Sequence, residues 1–191
     1  GAQAGHTRVK GGWTAIGAAQ RAEFAERGFL IVEDALSTDA VAKVVAALDD
    51  TVRDPAFRAA AERTHTLQTS AAINVHDGGC HPMVQFEAFA KSLASGARDR
   101  LCNVRKVGGF HEAHPLLRAI SGDEAMLRSL GCLLADEGGE GAPELEVFQS
   151  LALLKPPGGR EKPWHQDCAY FNVDHRAVRM VGEWIALSEA T

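Results

Sequence analysis

Residues 147–167 read VFQSLALLKPPGGREKPWHQD. The first eight are mostly apolar, and a turn rich in proline and glycine follows them. On a strand, the apolar side chains of segment 147–154 fall on both faces, which predicts a strand inside a sandwich or barrel. His165 and Asp167 come next, two residues apart, and on a strand they would project from the same face.

This histidine and this carboxylate would supply two thirds of the 2-His-1-carboxylate triad that holds non-heme Fe(II). The neighbouring aromatic residues Trp164, Tyr170 and Phe171 would exclude water and tune a metal bound there. Pairs at this spacing are also common on protein surfaces, so the spacing alone leaves a solvated pair as the alternative.

Composition narrows the class of protein. The chain has 191 residues, 46% of them hydrophobic and 24% charged, which suits one sizeable globular domain. The net charge of −5 predicts neither a nucleic-acid nor an anionic membrane partner. No apolar run is long enough to span a bilayer, and the four scattered cysteines form no C-x-x-C zinc pattern. We therefore expect a cytoplasmic protein.

The pattern before residue 136 is mainly helical. Helices are predicted over 14–27, ending at Gly28, and after the caps Ser37 and Asp54. Further helices are predicted over 83–102, 116–120 and 123–134, the last of them capped by Ser121 or Asp123, with short extended segments over 29–32 and 104–107. A Gly/Glu-rich connector, 136–143, then leads to a β-rich part with strands over 147–154 and 179–187.

Several of these segments resemble the phytanoyl-CoA dioxygenase family. The likeness lies in residues 147–167, in the strand Gly182-Glu183-Trp184-Ile185-Ala186-Leu187, in the start at 27–32 and in residues 106–115. It implies an α+β protein with a double-stranded β-helix core, jelly-roll or cupin-like, behind a helical N-terminal part. The whole chain, 1–191, would be one domain, with a flexible N-terminus over 1–12, a mainly helical part over 13–135 and the first core strands over 144–191.

The resemblance also implies an activity, that of a dioxygenase dependent on Fe(II) and 2-oxoglutarate. Such an enzyme uses O₂ to hydroxylate its substrate and releases succinate and CO₂. The implied iron ligands are His165 and Asp167. The implied 2-oxoglutarate contacts are Lys106, Leu151 and Trp184, and a lysine suits an anionic co-substrate. Without the resemblance, Lys106 would be read as a surface lysine and Trp184 as a core residue.

Gln166, Tyr170 and Phe171 are candidate substrate contacts. Because Asp167 keeps the carboxylate that related iron halogenases replace by a small residue, hydroxylation is favoured over halogenation. His111 and His114 match no ligand position and are expected to face the pocket or to cap a helix near Pro115. The family's distal histidine and clamping arginine lie beyond Thr191, so we expect a longer intact enzyme to supply them and to complete the core.

Two other readings stay open. One is a catalytically inactive family member that acts as a binding or scaffold domain. The other is a cupin-like metal protein with a different reaction, such as an isomerase.

Overall fold

The structure, a computed structural model, describes residues 8–10, 12–69, 81–135, 143–174 and 176–189. Residues 1–7 and 11 of the predicted flexible N-terminus and most of the predicted connector 136–143 lie outside these ranges. The chain divides into two compact units: the first consists of Gly1–Ala42, Gly122–Glu146 and Arg179–Thr191, and the second of Lys43–Ser121 and Val147–Val178. None of the helices in the described ranges is long and apolar enough to cross a membrane.

The first unit contains a small parallel ribbon whose strands are joined through a helix. Strands β1 (Arg8–Val9) and β2 (Ile31–Val32) pair in parallel, and helix α1 (Ala18–Arg27) lies between them in sequence. The helix ends as predicted at Gly28, whose φ of +78° is a left-handed conformation that glycine adopts without strain. Its N–H donates to the Phe24 carbonyl over 2.7 Å and closes the last turn.

Helix α6 (Glu124–Leu134) packs on this N-terminal part of the first unit. It contacts both α1 and a short 3₁₀ helix, Gly12–Ala15. Asp123 is its cap, accepting the Met126 N–H at 2.8 Å, one of the two capping residues expected from the sequence. The Ser129 hydroxyl donates to the Trp13 carbonyl at 2.6 Å, so a polar side chain on the buried helix face is satisfied.

The second unit holds the main hydrophobic core. Helices α2 (Thr38–Arg53) and α3 (Pro55–Thr69) begin where the sequence places their caps, at Ser37 and Asp54. A three-stranded antiparallel sheet has the order β3 (Met83–Phe86), β4 (Val104–Gly108), β5 (Leu151–Leu153). The cluster at its centre is fully or almost fully buried and consists of Val52, Phe57, Val104 and Val107.

A register shift in the β3–β4 ladder lets both valines of β4 reach this core. Gln85 lies opposite Lys106, but Phe86 lies opposite Val104, so Arg105 is an extra residue in the ladder. Without such a bulge, residues 104 and 107 would point to opposite faces. The bulge therefore leaves Lys106 on the face turned away from the valine core.

The predicted helix over 83–102 is wrong. Residues 83–86 form β3, and three short helical segments follow: a 3₁₀ helix at Ala88–Ser92, α4 at Ser95–Arg98 and a 3₁₀ helix at Leu101–Asn103. Val84 and Phe86 pack toward the core while Gln85 is exposed, which is a period of two. In so short an apolar segment the sequence periods of a helix and of a strand are hard to separate. Pairing with β4 is what makes this segment a strand.

The C-terminal part has less strand than predicted. The strand expected over 147–154 is limited to β5, and residues 179–187 form no strand because their backbone pairs with none of the described segments. His165 and Gln166 do not lie on a strand either, and Asp167 starts helix α7 (Asp167–Phe171). Pro163 lacks an N–H for a ladder, and an acidic residue is favoured in the first turn of a helix. The fold is thus α+β, as predicted, with a small antiparallel sheet.

Helix α5 (Pro115–Ser121) precedes α6 and confirms the helix predicted near Pro115. His114 accepts the Leu116 N–H at Nδ1 over 3.2 Å, so it caps this helix, one of the two roles expected for it. His111 lies in the turn after β4, where its Nδ1 is 2.8 Å from the hydroxyl of the buried Ser150. This contact ties the end of β4 to the residue that precedes β5.

Candidate metal and co-substrate site

His165 and Asp167 converge although they do not share a strand. His165 Nε2 lies 3.2 Å from Asp167 Oδ1, and both side chains are accessible. The second ring nitrogen, Nδ1, lies 2.8 Å from the Pro163 carbonyl oxygen. A carbonyl can only accept a hydrogen bond, so Nδ1 carries the proton in this contact. When the ring is neutral, Nε2 then carries a lone pair, which faces the carboxylate.

This geometry fits a shared cation. Two acceptors 3.2 Å apart repel each other unless a proton or a metal ion lies between them. Adjacent ligands of a metal with bonds of about 2.1 Å lie about 3 Å apart. A histidine that ligates through one nitrogen and donates from the other to a backbone carbonyl is also the usual arrangement in metal sites. The two residues therefore suit a divalent metal as neighbouring ligands.

The described part of the chain adds no third ligand to this pair. No group of three or more His, Cys, Asp or Glu side chains that could hold a metal ion occurs among the described residues. His175 lies outside those residues.

Lys106 and Leu151 share one face of the antiparallel sheet. Lys106 lies opposite Leu153, and Leu151 lies opposite Gly108, two residues further along β4. Since alternate residues of paired strands point to the same side, these four positions line the face away from the valine core. A Cβ placed on Gly108 would lie 2.9 Å from the Met83 methyl and 3.7 Å from a Leu151 methyl. The sheet thus brings together two of the three residues predicted to contact 2-oxoglutarate.

The electrostatic surroundings of Lys106 favour an anion. Burial is the main factor that lowers its pKa from 10.5, and the positive charges of Lys162 and Arg105 lower it further. Lys162 belongs to the loop that leads to His165, so this loop brings a second ammonium group near Lys106. A bound carboxylate would offset the repulsion between these cations.

The loop 155–162 is attached to the sheet at two points. The Arg105 guanidinium donates through Nη2 to the Glu161 carbonyl at 3.4 Å. The Arg160 N–H lies 3.3 Å from each carboxylate oxygen of Glu87, the residue that follows β3. Both attachments lie at the end of the sheet where Lys106 is found, so the metal pair and the lysine are linked through this loop.

The candidate substrate residues lie in different surroundings. Gln166 is exposed and borders an open cleft of about 360 Å³, together with Cys168, Ala169, Asn172, Val173 and Asp174. Phe171 is buried and packs edge-to-face on Phe148, with 5.1 Å between the ring centres. The side chain of Tyr170 lies outside the described part of the chain. Of the two candidates whose side chains are described, Gln166 borders the cleft.

Trp184 belongs to the first unit, whereas Lys106, Leu151, His165 and Asp167 belong to the second. Its side chain is 84% exposed. This exposure disagrees with the core position that was expected for Trp184 without the family resemblance.

Three contributors to the site were not identified from the sequence: the carbonyl of Pro163, the ammonium of Lys162 and the carboxylate of Glu87. A main-chain carbonyl carries no sequence signal. Lys162 and Glu87 are far in sequence from the groups they meet, at Lys106 and Arg160. The sequence signal for Glu87 was that it follows an apolar segment. Because a helix was predicted over 83–102, this segment was not recognised as a strand that ends at Glu87.

Comparison with known families identifies the family of the chain. The family model described as phytanoyl-CoA dioxygenase (PhyH) matches residues 24–191, and the chain belongs to this family. The prediction made from residues 106–115, 147–167 and 182–187 is thereby confirmed. No curated protein and no solved structure matches the chain. Members of the family are generally oxygenases that use Fe(II) and 2-oxoglutarate, and their fold is cupin-like.

Proposed function

We propose that this protein is a non-heme dioxygenase dependent on Fe(II) and 2-oxoglutarate, which hydroxylates a small organic substrate. The balanced reaction converts substrate, 2-oxoglutarate and O₂ into hydroxylated substrate, succinate and CO₂. The observation that carries the proposal is the approach of His165 Nε2 to Asp167 Oδ1 at 3.2 Å, with the histidine proton directed to Pro163. Membership of the phytanoyl-CoA dioxygenase family supports it.

In this proposal His165 and Asp167 hold Fe(II) as adjacent ligands. When bound, the iron with its co-substrate and O₂ supplies the oxidising power needed to break an unactivated C–H bond. The protein's part is to orient the ring through the Nδ1 contact with Pro163, so that Nε2 faces the metal position beside Asp167, and to leave the other metal positions open. These remaining positions are available to 2-oxoglutarate, O₂ and a third protein ligand.

Lys106 would bind a carboxylate of 2-oxoglutarate, with Leu151 forming the apolar wall beside it. Trp184 is proposed as a further contact of the co-substrate, on the basis of the family motif alone. On the substrate side, Gln166 would face the substrate at the open cleft, while Tyr170 and Phe171 stay proposals from the sequence. The three-stranded sheet would be part of a double-stranded β-helix core within one family domain.

The decisive test is an anaerobic titration of the full-length protein with Fe(II) and 2-oxoglutarate. Chelation of the oxo-acid by iron gives a weak visible charge-transfer band, which we expect for the wild type. Asp167→Ala should remove the band and lower the affinity for Fe(II) by about 100-fold, because a charged ligand is lost. Asp50→Ala is the matched control, since Asp50 is an exposed carboxylate on helix α2.

Each other reading of the sequence predicts a different result. A catalytically inactive family member would give neither the band nor succinate with any substrate. A cupin-like metal protein would bind Fe(II) through His165 but would give no band on addition of 2-oxoglutarate. A full band with Asp167→Ala would contradict the ligand role of this carboxylate.

A further inference from the structure

Glu87 is a buried carboxylate outside the ligand pair. Its side chain is 4% exposed, and its own N–H donates to the Asn103 carbonyl at 3.0 Å, which continues the pairing of β3 beyond Phe86. A carboxylate removed from water is costly unless its oxygens accept hydrogen bonds or meet a positive charge. The buried side chain of Glu87 therefore needs such a partner.

The contact of Glu87 is the loop before the metal pair. Both carboxylate oxygens lie 3.3 Å from the single N–H of Arg160, which is a shared, charge-assisted hydrogen bond to main chain. Gly159, the residue before Arg160, is closely packed on the Glu87 carboxylate. A Cβ placed on Gly159 would lie 2.9 Å from Glu87 Oε1 and 2.9 Å from the Pro156 carbonyl oxygen. Glycine at position 159 is what allows the loop to approach this closely.

The same loop leads directly to the site. Lys162 follows Arg160 by two residues and lies near enough to Lys106 to lower its pKa, and Pro163 holds the ring of His165. The second attachment, between Arg105 and the Glu161 carbonyl, is longer and exposed. An exposed contact of this kind contributes little, so the buried Glu87 contact is the stronger of the two.

We propose that Glu87 is a positioning residue: by holding the N–H of Arg160, it fixes the loop 155–162 on the sheet and thereby sets His165 and Asp167 at the right distance from Lys106. Glu87 touches neither metal ligand and is not a catalytic residue. The inference rests on the proposed function, because Lys106 and the His165–Asp167 pair must act on one iron–oxo-acid complex. A chelated oxo-acid must contact the iron held by the ligand pair and the ammonium group of Lys106 at the same time.

The test compares Glu87→Ala, Glu87→Gln and the control Glu161→Ala in the full-length protein. Glu161 lies on the same loop and contacts Arg105 through its main-chain carbonyl, while the residue is exposed, so its side chain can be removed without touching either attachment. The first readout is hydrogen exchange of the Arg160 amide in the metal-free protein. The second is the affinity of the Fe(II) protein for 2-oxoglutarate, measured by titration of the charge-transfer band.

Glu87→Ala should speed exchange at Arg160 and weaken 2-oxoglutarate binding, each by about 10- to 100-fold, the range expected for a hydrogen bond to a charged group. Glu87→Gln keeps an acceptor oxygen and should restore most of both properties. Glu161→Ala should behave as the wild type. Equal affinities for 2-oxoglutarate in the wild type and a folded Glu87→Ala protein would overturn the proposal, even if exchange at Arg160 were faster.

Gly159→Ala provides an independent variant if Glu87→Ala does not fold. Its added methyl group would push the loop off the carboxylate while Glu87 stays in place. We expect the same loss of 2-oxoglutarate affinity as for Glu87→Ala, because both variants break the same contact. Wild-type affinity in Gly159→Ala would overturn the proposal.

Failure of this inference can be told from failure of the proposed function. If the wild-type protein gives no charge-transfer band, the proposed function fails and the positioning role fails with it. The exchange measurement needs neither iron nor 2-oxoglutarate and still shows whether Glu87 holds the loop. If the wild type gives the band and the Glu87 variants do not alter its titration, only the positioning role is lost.

Discussion

His165 shows how a main-chain atom can prepare a side chain for metal binding. The imidazole has two nitrogens, and the one that donates a hydrogen bond cannot also ligate a metal. The Pro163 carbonyl lies two residues before the ring and engages Nδ1 at 2.8 Å. Nε2 is thereby directed to Asp167, which is the first residue of helix α7. The local turn, rather than a strand, produces the pairing.

Lys106 is the residue at which we expect co-substrate affinity to be most sensitive. Lys106→Met keeps the length of the side chain but removes its charge, and we expect KM for 2-oxoglutarate to rise about 10- to 100-fold with a smaller change in kcat. Because the pKa of Lys106 is lowered by burial, Lys162 and Arg105, affinity in the wild type should fall at a lower pH than for an ordinary lysine. Steady-state kinetics at several pH values measure both effects.

Lys91→Met is the matched control, since Lys91 is exposed on the 3₁₀ helix Ala88–Ser92 and should leave KM unchanged. An unchanged KM in Lys106→Met would remove Lys106 from the co-substrate site.

Among the elements, β4 connects the core to the site. The bulge at Arg105 allows Val104 and Val107 to face the core while Lys106 faces away from it, so one five-residue strand serves both purposes. The arrangement depends on the buried side chains of β4, which anchor the strand against Val52 and Phe57. Stability of the second unit and the position of Lys106 are thus coupled through one element.

Val107→Ala should lower the free energy of unfolding by about 1.5 to 3 kcal/mol, because it removes two methylene equivalents from a fully buried position and leaves a cavity. Urea unfolding followed by circular dichroism measures the change. Val178→Ala is the control, since Val178 is 49% exposed and should cost less than about 0.5 kcal/mol. A loss as small as the control's would show that this cluster is not the core of the unit.

For the molecule as a whole, Glu183 makes stability depend on pH. Burial, and secondly the negative charge of Asp123, raise the pKa of this carboxyl to about 7 from 4.5. Its Oε1 atom is buried and has no hydrogen-bond partner in the described part of the chain. Between these two pKa values the folded protein holds a proton that the unfolded chain releases. The contribution of Glu183 to the free energy of unfolding therefore falls as the pH rises from about 4.5 to about 7.

Glu183→Gln should remove this dependence, since the amide carries no titrating proton. We expect Tm of the variant to match the wild type near pH 4.5 and to exceed it above pH 7, as measured by differential scanning calorimetry across that range. Glu144→Gln changes an exposed carboxyl and should follow the wild-type profile. Parallel profiles for Glu183→Gln and the wild type would show that Glu183 does not titrate near pH 7.

The sequence by itself determined the features that depend on short-range chemistry. Caps at Ser37, Asp54 and Asp123, the end of α1 at Gly28 and the family motif around His165 could all be found because each acts within a few residues. The β4 strand and its lysine were also predicted. Local hydrogen bonds and backbone preferences are enough to place such features.

Only the tertiary structure decided which residues meet across the chain. Segment 83–86 became a strand through pairing with β4, and Glu87 then came to hold Arg160, 73 residues away in sequence. The side chains of His165 and Asp167 were brought together by a turn and the start of a helix. The strand predicted for them was therefore wrong, although the two side chains do lie side by side as predicted. Contacts between distant segments depend on packing and register, and a local sequence pattern does not predict them.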